Sequence, residues 1–410
     1  MIRYKPAEKP PSNFSQQKIK LYNMMMLFNN IRKNMPTSRA ALAEETGLSP
    51  TTVSMLVDEL ISNKWIRETG AGTSSMRGRK PIMLEVNASG GCIATIEIIS
   101  NSIICTLYDI CFKKLDSIRI RGAKHTSEQI AHELRKLLKA KRVALYRLIG
   151  IHIIYPGIFD AETGRIQFSA VIPHDELGED DFVASLRLRF PDARVIISNN
   201  TSVLAFMEYS SDHYTPGNHL LAVNIDEGIS GGVVTGDAHK DPHRCFPLEI
   251  GHMIVDRNGP QCHCSNRGCL EAMCSIVALF RELNERAGMS LQFIESFGAD
   301  INGLAMQQAA ERFHSGDPRV LAVLTDYAYT LCCALVSIVN LFDIQTIHIG
   351  GAISALGEPF LEIVRATLHA EFRLFHSREV AIEASTGDFE SMRRSAVLMC
   401  MDEIFQSAQA

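Results

Sequence analysis

The sequence predicts an α/β protein: an N-terminal winged helix-turn-helix, then a two-lobed α/β body that carries a structural zinc knot. Three observations predict it. Residues 1–82 hold 13 Lys+Arg against 6 Asp+Glu, and the remainder holds 28 against 40. A basic end on an acidic body suits a chain in which only that end meets an anionic polymer. From Cys92 onward, strand-like and helix-like segments alternate, the texture of layered α/β domains. Finally, His252, Cys262, Cys264 and Cys269 fall within 18 residues, and one imidazole with three thiols is the donor set of a closed tetrahedral zinc site.

The totals set the frame. With 410 residues, 46% hydrophobic and 21% charged, the composition is that of a globular chain with room for two or three domains. The start, Met1 to Pro11, is polar and Pro-rich, unlike a secretory leader. The 11 cysteines are an odd number, and outside the knot only Cys332 and Cys333 are close-set, which points to a reducing cytoplasm. The longest apolar run, Tyr327–Phe342, contains Thr330, Ser337 and Asn340. It is too short for a membrane span, so a buried helix and no membrane partner are expected.

In the basic end, residues 1–16 read as a disordered arm. Leu21, Met24, Met25, Phe28 and Ile31 then recur at helical spacing up to Lys33, and Pro36 stops that helix. Thr37 or Ser38 can cap a second helix with Leu42 and Ala43 inward, broken by Gly47. Ser49-Pro50 is a strong start for a third, with the cap followed by Pro at the first position. Its buried stripe is Val53, Leu56, Val57, Leu60 and Ile61, which leaves Thr51, Thr52, Ser54 and Met55 outside. Trp65–Glu68 and Pro81–Val86 read as strands around a loop from Gly70 to Arg79. The pattern is a helix-turn-helix with a wing. It implies binding to a double-stranded DNA operator. Thr51, Thr52 and Ser54 would face the major groove. Arg77, Gly78, Arg79 and Lys80 form the wing tip, whose Arg side chains suit a narrow minor groove. Lys20, Lys33, Arg39 and Lys64 would at most touch phosphates.

In the body, Ile93–Ile98 and Ile103–Leu107 are β-like and Glu128–Lys141 is an amphipathic helix. Leu148–Ile154 is a strand ending in Tyr155-Pro156-Gly157, and Val195–Ile197 ends in Ser198-Asn199-Asn200. Leu220–Ile225 leads into Asp226-Glu227-Gly228-Ile229-Ser230-Gly231-Gly232. Long helices are expected at Leu270–Arg286 and Val320–Leu341, a strand at Thr346–Ile349 closed by Gly350-Gly351, and a last helix near Arg394–Phe405. In the knot, Gly259-Pro260 turns the chain back and Gly268 permits a close approach. Glu249 and Glu271 flank the metal donors, so the knot would fix where these carboxylates point. Four protein donors leave no open position, which makes the Zn2+ structural. His263 lies between two donors, where its ring is expected to point away, so His252 is the favoured imidazole.

These residues resemble the ROK proteins (repressors, open reading frames and sugar kinases). Within that family the resemblance is to winged-helix transcriptional repressors of the xylose, N-acetylglucosamine and glucose-regulon type, and it covers nearly the whole chain. The knot carries it most specifically, with Ser265 where Gly is usual. The resemblance implies an actin-like ATPase (sugar-kinase) body. Residues 1–86 would be the DNA-binding domain, and 87–199 the first lobe, completed by the C-terminal helix at about 388–410. Residues 200–387 would be the second lobe with the knot. It implies a sugar or sugar phosphate effector in the cleft. Asn199, Glu249, His252 and Glu271 match residues that bind sugar hydroxyls, a chemistry that carboxylates and an amide suit. Asn200 adjoins them, and Pro156-Gly157 matches a loop lining the cleft. His252 would ligate zinc through one nitrogen and face the sugar with the other.

The departures from the kinases decide against catalysis. Asn200 stands where the kinases place an Asp general base, and an amide cannot accept the proton. Their first phosphate loop, Asp-x-Gly-Gly-Thr, is matched by Glu97-Ile98-Ile99-Ser100-Asn101, without either Gly. Their second is matched by Asp226–Gly232, with two carboxylates where an anion would sit. The first expectation is therefore a sugar-responsive repressor, not an enzyme, acting as a homodimer or dimer of dimers on paired half-sites. A sugar kinase with a DNA-binding arm is the second. A regulator driven by a protein partner, with a vestigial sugar site, is the third.

Overall fold

The computed structural model describes residues 16–72, 80–99, 102–121, 126–160, 163–168, 182–210, 218–236, 245–293, 301–372, 380–385 and 387–407. The chain divides into two compact units, Met1–Ser198 with Ala396–Ala410, and Asn199–Ser395.

Unit 1 opens with α1 (Gln16–Asn34), β1 (Thr37–Ser38), α2 (Arg39–Thr46), α3 (Pro50–Ser62), β2 (Ile66–Ala71) and β3 (Ile82–Val86). The three strands form a sheet in the order β1-β3-β2. Local chemistry sets each boundary. The Ser38 hydroxyl accepts from Ala41 N and ends the choice between the two candidate caps. Gly47, at φ 70°, closes α2 in the left-handed conformation. The Ser49 hydroxyl accepts from Thr52 N, with Pro50 at the first turn of α3. Strand β2 runs further than the sequence predicts, through Gly70 to Ala71, where the loop is expected to have begun. A bulge between Glu68 and Gly70 absorbs the irregularity, with Gly70 at φ 105°.

The rest of unit 1 is β4 (Cys92–Ile99), β5 (Ser102–Asp109), β6 (Lys114–Arg121), α4 (Ser127–Ala140), β7 (Leu148–Tyr155), β8 (Ile158–Phe159), β9 (Ile166–Phe168), α5 (Phe182–Arg189) and β10 (Arg194–Asn199). Its sheet runs β10-β7-β4-β5-β6. Strand β6 has no counterpart in the sequence reading. It is an edge strand with a single buried residue, Ile120, so its pattern is weak.

Unit 2 comprises α6 (Asn200–Tyr209), β11 (Leu220–Ile225), β12 (Ile229–Val234), β13 (Cys245–Leu248), α7 (Leu270–Cys274), α8 (Ile276–Ala287), α9 (Ile301–His314), α10 (Pro318–Phe342), β14 (Thr346–Gly350), α11 (Glu358–Glu371) and β15 (Ala381–Ala384). Its sheet runs β13-β12-β11-β14-β15. The helix expected over Leu270–Arg286 is two helices. Ser275 is extended (ψ 166°), and its hydroxyl accepts from Ala278 N, so it starts α8 as a new cap. Helix α10 is long and apolar enough to cross a membrane by length and composition. One face of it, Val320 through Val339, forms the spine of the unit 2 core with Leu279, Leu283, Phe360 and Ile347.

The last helix, α12 (Phe389–Ser407), passes from unit 2 into unit 1. There Val397, Cys400, Met401, Ile404 and Phe405 join one apolar cluster with Phe28, Leu42, Leu56, Trp65, Ile93 and Tyr108. The Phe405 ring meets Phe28 and Trp65 edge-on, at 5.5 and 4.9 Å between centroids. Such pairs contribute about 0.5–1.5 kcal/mol each beyond the area they bury.

Candidate metal centre and ligand site

The knot lies between β13 and α7 and is tied by short backbone bonds. Val255 N donates to Gly268 O, Gly268 N to Pro260 O, and Cys262 N to Asn266 O. Gly259 N donates to Asp256 O, which makes the expected turn. Gly268 has φ 68°, and a Cβ there would come 1.5 Å from Asp256 O, so no other residue fits. Ser265 also has positive φ, 74°, the conformation that favours Gly at the position where the resemblance leads one to expect it.

Four donors converge. The ring nitrogen of His252 and the sulfurs of Cys262, Cys264 and Cys269 lie within 4.8 Å of one another. Cys264 Sγ is 3.6 Å from Cys269 Sγ, and Cys262 Sγ is 3.8 Å from His252 Nδ1. A tetrahedral ion with metal–sulfur bonds of about 2.3 Å has edges of roughly 3.8 Å, so the cluster fits a metal ion. Burial pushes the Cys269 thiol up to about 12. Backbone donation from Asn266 holds Cys264 below the usual thiol value. A divalent cation at the centre would make thiolates of all three.

His263 does not point away. Its Nδ1 lies 3.0 Å from Glu271 Oε1 and 4.0 Å from Cys262 Sγ. His252, His263 and Glu271 form a second convergent group, again within 4.8 Å. Residue 263 follows one donor and precedes the next, yet its ring nitrogen converges with that of His252 on the Glu271 carboxylate.

The Glu271 carboxylate is held at its other oxygen as well, since Ile229 N donates to Oε2 at 3.0 Å. A Cβ at Gly228 would come 2.6 Å from that oxygen. Asp226, in the same turn, plays a part that sequence did not disclose. Its Oδ1 accepts from Ala352 N and its Oδ2 from Asn224 Nδ2, both at 2.6 Å. An internal carboxylate therefore occupies the backbone donor that follows Gly350-Gly351.

The other predicted residues fall as follows. Asn199 is buried and caps α6, its Oδ1 accepting from Thr201 N and Thr201 Oγ1. Asn200 is the first residue of α6 and half-buried. Glu249 is exposed, at the entry to the 3-10 turn Ile250–His252, and its carbonyl accepts from His252 N. Gly157 lies in unit 1, in the turn after β7. The structure thus brings His252, Glu271 and the three cysteines together, adds His263, and sets Asn199 and Asn200 on one helix terminus.

In the N-terminal module, Thr51 and Met55 are exposed on α3, and Thr52 and Ser54 are half-buried. The Thr52 hydroxyl lies 2.8 Å from the Ser49 hydroxyl, inside the cap. Lys80 is exposed, and Arg77, Gly78 and Arg79 lie outside the described residues. Lys20 pairs with Glu59 at 2.8 Å, and Arg39 bridges Asp58 and Glu68 at 2.7 Å each. Both cations are thus paired with carboxylates of the module itself.

The sequence profile of the ROK family matches residues 93–401. A chain of Caldicellulosiruptor sp., named provisionally as a xylose repressor, is 29% identical over 394 residues, 93% of this chain and 95% of that one. The xylose repressor of Bacillus subtilis is 28% identical over 339 residues, 82% and 83% of the two chains. A crystal structure of a ROK family transcriptional regulator, a homologue of the Escherichia coli Mlc protein, superposes with a TM-score of 0.72. It is 22% identical and covers 95% of this chain and 97% of its own.

Proposed function

The chain belongs to the ROK family, and from that premise we propose that it is a sugar-responsive DNA-binding transcriptional regulator, a repressor of carbohydrate-utilisation genes. One observation carries the reading. The likeness to a chain named as a xylose repressor spans 93% of the sequence, and so takes in most of the N-terminal module as well as the body. A pentose such as xylose is accordingly the first effector to try.

The parts have these roles. The N-terminal module is a winged helix-turn-helix that meets duplex DNA. Thr51, Thr52 and Ser54 of α3 read the major groove, and Arg77, Gly78, Arg79 and Lys80 form the wing. The metal is zinc, because three thiolates and an imidazole suit it. It is held by His252, Cys262, Cys264 and Cys269. It supplies rigidity and no bond-breaking, since four protein donors close the shell. Asn199, Asn200, Glu249, His252 and Glu271 bind the sugar. Two copies of the module sit on half-sites about one helical turn apart, and the sugar changes how they are presented. A partner of that kind places the protein in the cytoplasm.

Kinase chemistry has little support. Asn200 cannot take up a proton, and the turn that matches the second phosphate loop holds the Asp226 carboxylate, fixed by Ala352 N and the Asn224 amide. The test selects a duplex from a random pool with the purified protein. Its dissociation constant is then measured with D-xylose, D-glucose, N-acetyl-D-glucosamine and their phosphates. One of these is expected to change it by about tenfold or more. A panel with no effect would overturn the reading, and so would sugar-dependent release of ADP from ATP.

A further inference from the structure

Strand β7 reads Leu-Ile-Gly-Ile-His-Ile-Ile-Tyr, and its imidazole is wholly buried among aliphatic neighbours. A buried imidazole is costly unless both nitrogens find partners. Here both do: Nδ1 of His152 lies 2.7 Å from Ala396 O and Nε2 lies 2.8 Å from Ser198 Oγ. A carbonyl only accepts, so Nδ1 carries the hydrogen. Nε2 is then the acceptor, and the Ser198 hydroxyl donates to it. Burial lowers the ring's pKa to about 4, so this donor–acceptor arrangement persists through the neutral range.

The two partners are the residues at which the chain leaves and re-enters unit 1. Ser198 is joined directly to Asn199, the buried cap of α6. Ala396 lies in α12, which continues over β7. Cys400 and Ile404 sit against Gly150, where a Cβ would come 2.5 Å from Cys400 Sγ. Phe405, further along, abuts Phe28 and Trp65 of the N-terminal module.

We propose that His152 is a pin that couples the ligand-facing end of β10 to the N-terminal module by way of α12. A displacement at Asn199 moves Ser198. The imidazole passes it to the Ala396 carbonyl, and α12 carries it to the aromatic contacts beneath α1. His152 touches neither sugar nor DNA; it is a positioning residue. The inference rests on the repressor reading and adds the route by which that repressor is regulated.

The test uses full-length protein and three substitutions. His152→Asn places an amide near Nδ1 and keeps only the Ala396 bond. His152→Gln places its oxygen near Nε2 and keeps only the Ser198 bond. Ser198→Ala removes one hydroxyl, and it carries the test if the imidazole variants fail to fold. The probe is D-xylose, or whichever sugar of the panel shifts the wild type. Sugar affinity, and operator affinity without sugar, are expected to stay within about threefold of wild type. The factor by which sugar changes operator affinity is expected to fall from about tenfold towards one. The sugar-induced change in amide exchange over residues 396–407 and 16–34 should vanish with it. Variants that respond by the wild-type factor would overturn the pin while the repressor reading stands. A wild-type protein that selects no duplex, or ignores every sugar, would overturn both.

Discussion

In unit 1 the strands lie in the order β10-β7-β4-β5-β6, and in unit 2 in the order β13-β12-β11-β14-β15. In each, three consecutive antiparallel strands are extended, beside the first of them, by two strands that helices deliver. β4 pairs parallel with β7, and β11 parallel with β14. The two sheets part company at their first turn. The pairing of Ile99 with Ser102 leaves only residues 100–101 to join β4 to β5. The pairing of Ile225 with Ile229 leaves Asp226–Gly228, and that turn is fastened on both sides, by Asp226 to Ala352 and by Glu271 to Ile229. One scaffold is used twice. What separates the copies is whether the turn is short or is filled by the chain's own carboxylates.

The largest effect should come from metal. Because Glu271 follows the knot and holds the unit 2 turn, stripping the ion with a chelator should cost unit 2 more than about 3 kcal/mol. Amide protection should fall across β11, β12 and α7 while β4, β5 and β7 keep theirs. Equal losses in both units would erase the distinction between them.

Next is Asp226→Ala, which leaves Ala352 N and the Asn224 amide without their acceptor. A loss of about 1–3 kcal/mol is expected in urea unfolding, with faster exchange at Ala352. The opened turn should still give no ADP release with any hexose, because Asn200 supplies no base. Turnover by this variant would show that the filled turn alone had blocked catalysis.

The smallest is Ser265→Gly. The residue holds φ 74°, and relieving a side chain there should raise stability by about 0.5–1 kcal/mol in the metal-loaded protein. A loss would mean that the Ser265 side chain contributes more than its backbone strain costs.

Much of this architecture was legible because its signals are local. Ser38, Gly47 and Ser49-Pro50 punctuate the N-terminal helices wherever the chain goes next. The four candidate metal donors lie within 18 residues, so their spacing alone predicts convergence. Helix α11 has local signals too, although the sequence expectations include no element there: Gly357 and Pro359 precede buried Phe360, Leu361, Val364 and Leu368. Other features required the tertiary structure. Nothing near Asp226 in sequence names Ala352, 126 residues away. His263 reads as a bystander until the loop carries it to Glu271. His152 looks like any core histidine until its partners prove to be the two residues at the chain crossings.

The packing of α12 under the N-terminal helices bears on how this molecule is made. The apolar cluster around Phe28, Leu56 and Trp65 takes Val397, Cys400, Met401, Ile404 and Phe405 from a helix translated some three hundred residues later. A ribosome working through the chain therefore releases a head whose floor has not yet been synthesised. The nascent head should acquire its final form only after the sensing portion has emerged. An operator would then be met by finished molecules, already able to answer to their effector.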